Sequence, residues 1–192
     1  FYFNWMQFHI KENVDVKKTV TFIFSLIAID QIIKLIIANH FIKVDLELLP
    51  NILSFRPVQN RNLSWIASIL EYKAPVLLMI ANQVVALIIF YLSYRYLSYL
   101  WIQGKKILKV MIIFLISGTG CSFIDVVFWG GSIDFIRLFD WFTFDIKDVY
   151  LDIGIAFLLL FIVNYYVKVY HKMDKEERKQ TGISIWLKKG MP

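Results

Sequence analysis

Four long apolar blocks constrain this chain of 192 residues more than any other feature of its sequence. A helix needs about 20 mostly apolar residues to cross a hydrocarbon core about 30 Å thick. Four blocks reach this length, at about residues 20–42, 75–94, 107–124 and 149–169. Because lipid offers no hydrogen-bond partners to the backbone, each block is expected to be helical. The sequence therefore predicts an all-α membrane protein with four transmembrane helices.

A soluble fold or a cleaved signal peptide accounts less well for these blocks. Buried helices of a soluble protein would need polar surface to cover them, yet 58% of the residues are hydrophobic, against roughly 45–50% in an ordinary soluble domain. A cleaved signal peptide would account only for the first block, which contains Asp30 and Lys34 and is followed by no small-residue cleavage site. We expect one integral membrane domain over residues 1–192, with a cytoplasmic tail at about 170–192.

The basic residues indicate how the chain is oriented. Short loops rich in lysine and arginine stay in the cytoplasm. With four spans, the N-terminal segment, the loop between the second and third spans and the tail share one side, and they carry most of the 21 lysines and arginines. Both termini are therefore predicted to be cytoplasmic, in a bacterial inner membrane. The net charge of +6 favours contact with anionic lipid headgroups.

The two predicted outer loops have patterns of their own. Residues 43–60 alternate apolar and polar side chains between prolines, which predicts a small strand pair at the membrane surface. Residues 132–143 mix aromatic and acidic side chains, a composition that favours the interface between lipid and water. We therefore expect a small extracytoplasmic β-like lobe and an interfacial helix on the outer side.

Ionisable residues inside a span are costly and by default indicate function. Asp30 and Lys34 lie four residues apart in the first span, so they share one helix face and can pair. Taken alone, a neutralising ion pair that lets the helix pack in a bundle accounts for them as well as a functional site does. The single cysteine, Cys121, has no metal-ligand companion and is expected to be a packing residue.

The second outer loop carries the more specific hypothesis. It is acidic, with Asp125, Asp134, Asp145 and Asp148 between the third and fourth spans. Two carboxylates held close together share a proton, because both cannot ionise easily. Such a pair can activate water with one carboxylate and protonate a leaving amine with the other. On spacing alone, a solvated outer face with Asp148 acting only as a helix N-cap is the simpler interpretation.

Four short motifs resemble those of the lipoprotein signal peptidase family and occur in the family's order. The stretch CSFIDVVFWGGSIDFI, residues 121–136, resembles G-N-x-x-D-R-x-x-x-G-x-V-x-D-F. The stretch FDIKDVYLDIG, residues 144–154, resembles F-N-x-A-D-x-x-I-x-x-G. In the first span, DQIIK at residues 30–34 resembles D-Q-x-x-K, and Asn60 in VQNRNLSW resembles the asparagine of N-x-G-A-A-F. The resemblance extends from about residue 20 to residue 168.

This resemblance implies an aspartic endopeptidase that removes signal peptides from diacylglyceryl-modified prolipoproteins with water activated by two aspartates. Carried over by position, Asp134 and Asp148 would be catalytic. The residues that would line or support the site are Asp30, Lys34, Asn60, Ser122, Asp125 and Asp145. No metal or other cofactor is implied. The expected partners are the signal peptide with its lipid-modified cysteine and membrane lipids, with no nucleic acid, and we expect a monomer whose site is near the extracytoplasmic face.

The motifs also depart from the family pattern. Ser122 replaces an asparagine, and Val126 replaces the arginine that follows the first motif aspartate. Asp145 and Lys147 stand where the second motif has asparagine and alanine. Valine in place of arginine removes a positive charge and a forked donor. We hypothesise that Lys147 supplies the missing charge, through a rearrangement of the polar groups with Asp145.

Two further classes of function stay open. A non-catalytic membrane-embedded binding or accessory protein that retains the peptidase fold would tolerate asparagine at either catalytic position. A small transporter would need polar residues along a path through the bilayer. No predicted span is broken by paired glycine or proline, as transporter sites usually require.

Overall fold

The computed structural model describes residues 2–61, 75–139 and 141–191, with side chains from residue 16 onward. Most of these residues are helical. The four long helices are α1 (Tyr2–Ile36), α2 (Val76–Leu100), α3 (Lys105–Ile124) and α4 (Ile146–Lys168). Single turns of π-helix extend α1 and α3, at Ile37–Phe41 and Asp125–Trp129. The 3-10 turns are Ile102–Gly104 and Tyr170–Lys172, and two short helices end the chain, α5 (Lys175–Gln180) and α6 (Ile183–Lys188).

Three helical segments are long and apolar enough to cross a membrane: Val16–Phe41, Val76–Leu100 and Ile102–Trp129. They coincide with the first three spans predicted from the sequence. The fourth predicted span falls on α4, a helix of 23 residues, and its place in the membrane stays a prediction. The fold is thus that of a mostly helical protein with apolar, membrane-compatible helices.

Both outer segments contribute to one small antiparallel sheet, with the strand order β1-β2-β3-β4. The hairpin predicted within residues 43–60 is present as β1 (Leu46–Leu49) and β2 (Leu53–Asn60). The second outer segment adds β3 (Ser132–Leu138) and β4 (Phe142–Phe144). This sheet is the β-like lobe that the sequence predicted.

The interfacial helix expected on the outer side is not found in the described part of residues 132–144, which forms strands. The reason lies in their alternation, since successive side chains of a strand point to opposite faces. Ile133 and Phe135 are buried and pack with Ile37, in the π-helical turn that follows α1. Ser132 and Asp134 alternate with them. Residues 62–74 of the first outer loop, and Asp140, lie outside the described residues.

The helices pack through small side chains and one apolar cluster. Leu108, Met111 and Leu115 of α3 are buried against Phe161 of α4. Further along, α3 buries a run of small residues, namely Ser117, Gly118, Thr119 and Cys121. Between membrane helices, small residues allow close backbone approach, which replaces the missing hydrophobic driving force. The α3–α4 pair is therefore a tight support for the residues at its outer end.

The predicted cytoplasmic tail folds back onto the end of α2. The Tyr96 hydroxyl donates a hydrogen bond to the Thr181 carbonyl at 2.7 Å, and Arg95 donates to the Met191 carbonyl at 2.6 Å. Trp186 of α6 is only 2% exposed and packs edge-on against the Tyr96 ring. The tail thus covers the end of α2 that is farthest from the sheet.

We expect Gly154→Val to destabilise the protein by about 1–3 kcal/mol, as overpacking typically does. A Cβ atom at Gly154 would lie 2.6 Å from Cδ2 of Leu115 and 3.2 Å from its backbone nitrogen. Thermal unfolding in detergent measures the effect. The matched control is Gly182→Ala, whose Cβ would have its nearest neighbour at 3.4 Å. Equal melting temperatures for the two variants would contradict the tight α3–α4 contact.

Candidate active site

A cluster of charged side chains lies where the C-terminal ends of α1 and α3 and the N-terminal end of α4 meet the sheet. The described residues supply five carboxylates and two ammonium groups to it: Asp30, Lys34, Asp125, Asp134, Asp145, Lys147 and Asp148. All except Asp148 are at most 7% exposed. Charges are buried in proteins only when they are paired. The fold therefore gathers residues more than 100 positions apart into one network of ion pairs.

Lys34 is the centre of the inner part of this network. Its Nζ lies 2.6 Å from Asp125, 2.7 Å from Asp145 and 2.9 Å from Asp30, and its side chain is fully buried. The pair that the sequence indicated within α1 is therefore present, but it is one contact of three. Lys34 joins α1 to the end of α3 and to the start of α4, which an isolated neutralising pair would not do.

Gln31 is a supporting residue that was not predicted as part of the site. Its Nε2 donates to Asp30 at 3.1 Å and to Asp125 at 3.0 Å, and its Oε1 accepts a hydrogen bond from the Trp129 indole at 3.2 Å. The signal was available, since Gln31 is part of the DQIIK motif and is a polar residue within a span.

The start of α4 is closed by a reciprocal capping box. Asp145 is the N-cap, and its carboxylate accepts a hydrogen bond from the backbone N–H of Asp148 at 3.3 Å. The Asp148 carboxylate in turn accepts from the backbone N–H of Asp145 at 3.1 Å. The expectation that Asp148 acts only as the N-cap is wrong, because a capping box places it at the third helical position. One Asp148 oxygen is used in this way, and the other lies 3.7 Å from the Lys147 ammonium.

Asp134 and Asp148 are brought together although they come from a strand and a helix. Oxygens of Asp134, Asp145 and Asp148 all lie within 4.8 Å of one another. The β2–β3 register pairs Asn60 with Ser132, and the Asn60 amide donates to the second oxygen of Asp134 at 2.8 Å. Sheet pairing therefore holds Asp134, while helix capping holds Asp148.

Lys147 lies among these three carboxylates. Its Nζ is 2.7 Å from Asp145, 3.5 Å from Asp134 and 3.7 Å from Asp148. Closely spaced carboxylates are also the groups that bind divalent cations. Here the Lys147 ammonium already contacts all three, so we assign none of them as a metal ligand.

Burial and the surrounding charges shift the pKa values of Asp148, Asp145 and Lys147. Burial, reinforced by Asp145 and Asp134, raises the pKa of Asp148 to about 7, although Lys147 opposes this shift. Burial disfavours ionisation of Asp145 as well, but the ammonium groups of Lys147 and Lys34 hold its pKa below the ordinary value. Burial acts to lower the pKa of Lys147, and the surrounding carboxylates raise it above its ordinary value. Asp148 is thus the carboxyl suited to carry a proton near neutral pH.

A cavity of about 1220 Å³ opens beside the two aspartates. Asp134 and Asp148 line it together with Asn60 and with Phe90 of α2. The cavity wall therefore extends from the charged cluster to α2, a helix that is long and apolar enough to cross a membrane. A space of this size can hold an extended peptide segment, as pockets of several hundred Å³ already hold drug-sized ligands.

The structure places each of the predicted site residues at this cluster or in this cavity. Ser122 lines the cavity, but its hydroxyl makes no hydrogen bond to another described residue. Ser132, by contrast, was missed. Its hydroxyl accepts from Lys147 at 2.7 Å and lies 2.9 Å from Asp145. The available signal was a polar residue at the motif position where the family pattern has valine.

The fold belongs to a known class of protein. It superposes on a solved bacterial membrane enzyme with a TM-score of 0.64 at 23% identity, over 83% of this chain and 96% of the other. A second solved bacterial membrane enzyme superposes with a TM-score of 0.54 at 23% identity, over 76% of this chain and 92% of the other. This chain therefore shares the overall fold of these two solved structures.

The sequence comparisons identify the family. Residues 22–164 match the family model described as signal peptidase (SPase) II. A lipoprotein signal peptidase of Streptococcus thermophilus is 30% identical over 143 residues, which cover 73% of this chain and 88% of the relative. A lipoprotein signal peptidase of Listeria monocytogenes is 25% identical, over 72% and 88% of the two chains. The chain belongs to the signal peptidase II family, at modest identity, and is therefore a bacterial membrane peptidase.

We expect Lys34→Met to lower the free energy of unfolding by about 3–5 kcal/mol, because removing one partner of a buried ion pair leaves uncompensated charge. Because Lys34 contacts three carboxylates within 2.9 Å, its removal weakens the contacts among α1, α3 and α4 at the same time. Denaturant unfolding in detergent measures the change. Lys18→Met removes an exposed lysine of the same helix and is the matched control. Equal stability of the two variants would contradict a structural role for the Lys34 network.

Proposed function

We propose that this protein is an aspartic endopeptidase that removes signal peptides from diacylglyceryl-modified prolipoproteins. The observation that carries the proposal is the approach of Asp134 and Asp148 within 4.8 Å, beside a cavity. Two carboxylates at this spacing can divide the roles of base and acid between them. The family supports the reaction class, and the geometry supports this choice of residues.

The reaction needs one proton on the pair. In the carboxylate form, Asp134 takes a proton from water, and the water oxygen bonds to the scissile carbonyl carbon. Asp148 in its protonated form gives its proton to the carbonyl oxygen, which yields a neutral tetrahedral diol. Asp134 then protonates the leaving amine as the carbon–nitrogen bond breaks, and Asp148 recovers a proton from a diol hydroxyl. The sum is one peptide bond hydrolysed by one water, with the dyad returned to its initial state.

The substrate would approach from the membrane. The cavity is lined on one side by α2, including Met79, Ala86 and Phe90. An apolar signal helix and the acyl chains of a modified cysteine match such a wall, because both are apolar and both reside in lipid. The scissile bond would then lie at the polar end, against Asp134 and Asp148.

We propose that this site faces the extracytoplasmic side, with both termini in the cytoplasm. The supporting feature is α2, whose first turns line the cavity and whose last turns contact the tail. The tail carries lysines and arginines, which favour the cytoplasmic side. One chain supplies every member of the charged cluster, which supports action as a monomer with membrane lipids around it.

A cleavage assay tests the proposal. The purified protein in detergent is mixed with a diacylglyceryl-modified prolipoprotein, and the size shift of the product is followed. We expect cleavage by the unmutated protein and a loss of at least about 100-fold in Asp134→Asn and in Asp148→Asn, since each removes an acid–base group. Asp45→Asn is the matched control, because Asp45 is exposed and pairs with Arg56 at the sheet.

Three outcomes separate the candidate functions. Cleavage that either dyad variant abolishes supports the peptidase. Cleavage that survives both substitutions overturns the assignment of the dyad. No cleavage by the unmutated protein, on a substrate that a control peptidase does process, favours a non-catalytic binding or accessory protein that keeps the fold.

The pH dependence gives a second prediction. Because the pKa of Asp148 is raised to about 7, the protonated form that donates to the substrate is present below this pH and lost above it. We therefore expect kcat/KM to fall as the pH rises through about 7. Initial cleavage rates measured from about pH 5 to about pH 9 test this fall, because such a group titrates within that range. A rate that stays constant across it would contradict Asp148 as the proton donor.

A further inference from the structure

Three residues that depart from the family motifs contact one another directly. Lys147 donates a hydrogen bond to the Ser132 hydroxyl at 2.7 Å and another to Asp145 at 2.7 Å. The Ser132 hydroxyl lies 2.9 Å from the same oxygen of Asp145. The motif positions carry alanine, valine and asparagine respectively, none of which is charged. The departures therefore form one connected polar unit inside the site.

This unit spans the two elements that carry the dyad. Ser132 precedes Asp134 by two positions on β3, and Lys147 directly precedes Asp148 on α4. The hydrogen bond from Lys147 to Ser132 therefore links β3 to α4 beside both aspartates. Lys147 therefore contacts both elements that carry the two carboxylates.

The ammonium of Lys147 also compensates the negative charge of the carboxylates around it. The charged groups that face it are Lys34 on α1, Asp125 after α3, Asp134 on β3, and Asp145 and Asp148 at the start of α4. Lys34 already serves three carboxylates. Without Lys147, Asp134 and Asp148 would have no cation within 4 Å among the described residues.

We propose that Lys147 is a positioning residue of the catalytic pair, whose ammonium lies between Asp134 and Asp148, holds them close together and compensates their negative charge. This inference rests on the proposed function. Asp134 accepts hydrogen bonds from Asn60 and, more weakly, from Lys147, so both its oxygens are stabilised by donors. Among the described residues, the Asp148 carboxylate has two such neighbours, the backbone N–H of Asp145 and the more distant ammonium at 3.7 Å.

Val126 replaces a residue that is positively charged in the family pattern. The family pattern has an arginine at this position, and Val126 is a buried apolar residue directly after Asp125. Lys147 lies 3.8 Å from the carboxylate of Asp125. This chain thus carries a positive charge in the first turn of α4 and none at position 126, and that charge lies close to Asp125.

The pH profile of kcat/KM tests the proposal, with Lys147→Met as the variant and Lys147→Arg as the charge-retaining control. An opposite charge within about 4–6 Å shifts a carboxyl pKa by about 1–3. We therefore expect the fall in activity near pH 7 to move upward by about one unit or more in Lys147→Met, and to stay near its original place in Lys147→Arg. We also expect kcat/KM to fall by about 10–100-fold in Lys147→Met, since small displacements of catalytic groups cost this much.

A double variant covers the case in which Lys147→Met does not fold. Val126→Arg combined with Lys147→Met returns one positive charge to the cluster from the other side. We expect this double variant to fold and to regain cleavage. A double variant that fails in either respect overturns the inference, as does a Lys147→Met protein with full activity and an unchanged pH profile.

A readout without activity separates this inference from the proposed function. The infrared band of protonated Asp148, assigned by its loss in Asp148→Asn, is followed as the pH rises. An upward shift of its midpoint in Lys147→Met supports the influence of Lys147 on the pair even if no substrate is cleaved, and an unshifted midpoint overturns it. Absence of cleavage by the unmutated protein, in contrast, counts against the proposed function alone.

Discussion

The structure depends on one buried ammonium, that of Lys34, which is shared by three carboxylates. Asp30, Asp125 and Asp145 come from α1, the end of α3 and the start of α4, and each lies within 2.9 Å of Lys34. A charge without a partner is costly in a dry interior. The three helices can therefore bury their charged ends only if they meet at this point. The same requirement fixes the relative heights of α1, α3 and α4, and so determines where the site forms.

The site itself is held by two different kinds of backbone structure. A strand places Asp134, because the β2–β3 pairing brings it beside Asn60 and packs Ile133 and Phe135 beneath it. A capping box places Asp148, because its carboxylate closes the first turn of α4. Asp145 belongs to both halves of the charged cluster, since it accepts from Lys34 and from Lys147. Rigid elements rather than free loops thus carry the two aspartates, which suits a reaction that needs them close together.

Three of the residues that depart from the family motifs lie together in the folded protein. A serine, an aspartate and a lysine replace three uncharged motif residues and bond to one another. An arginine is replaced by the buried Val126 at the same time. A loss of positive charge at one point is accompanied by a gain at another within the same cluster. At the modest identity to the curated relatives, 30% and 25%, the charges of the site are thus redistributed, and Asp145 adds one negative charge to them.

The sequence by itself determined the features that depend on local composition. The apolar blocks predicted the helices, because a lipid environment demands long apolar segments, and the alternation in residues 43–60 predicted the first hairpin. The motif residues predicted which acids belong to the site. Only the tertiary structure decided that residues 132–138 and 142–144 form strands, because the pairing partner of β3, which is β2, lies more than 70 positions earlier. It also decided that Asp145 caps α4 and that Ser132 and Gln31 join the cluster, and it places Lys147, which the motif comparison had already suggested, 2.7 Å from Asp145. Those contacts depend on distances between side chains from separate elements, which no local pattern of the chain contains.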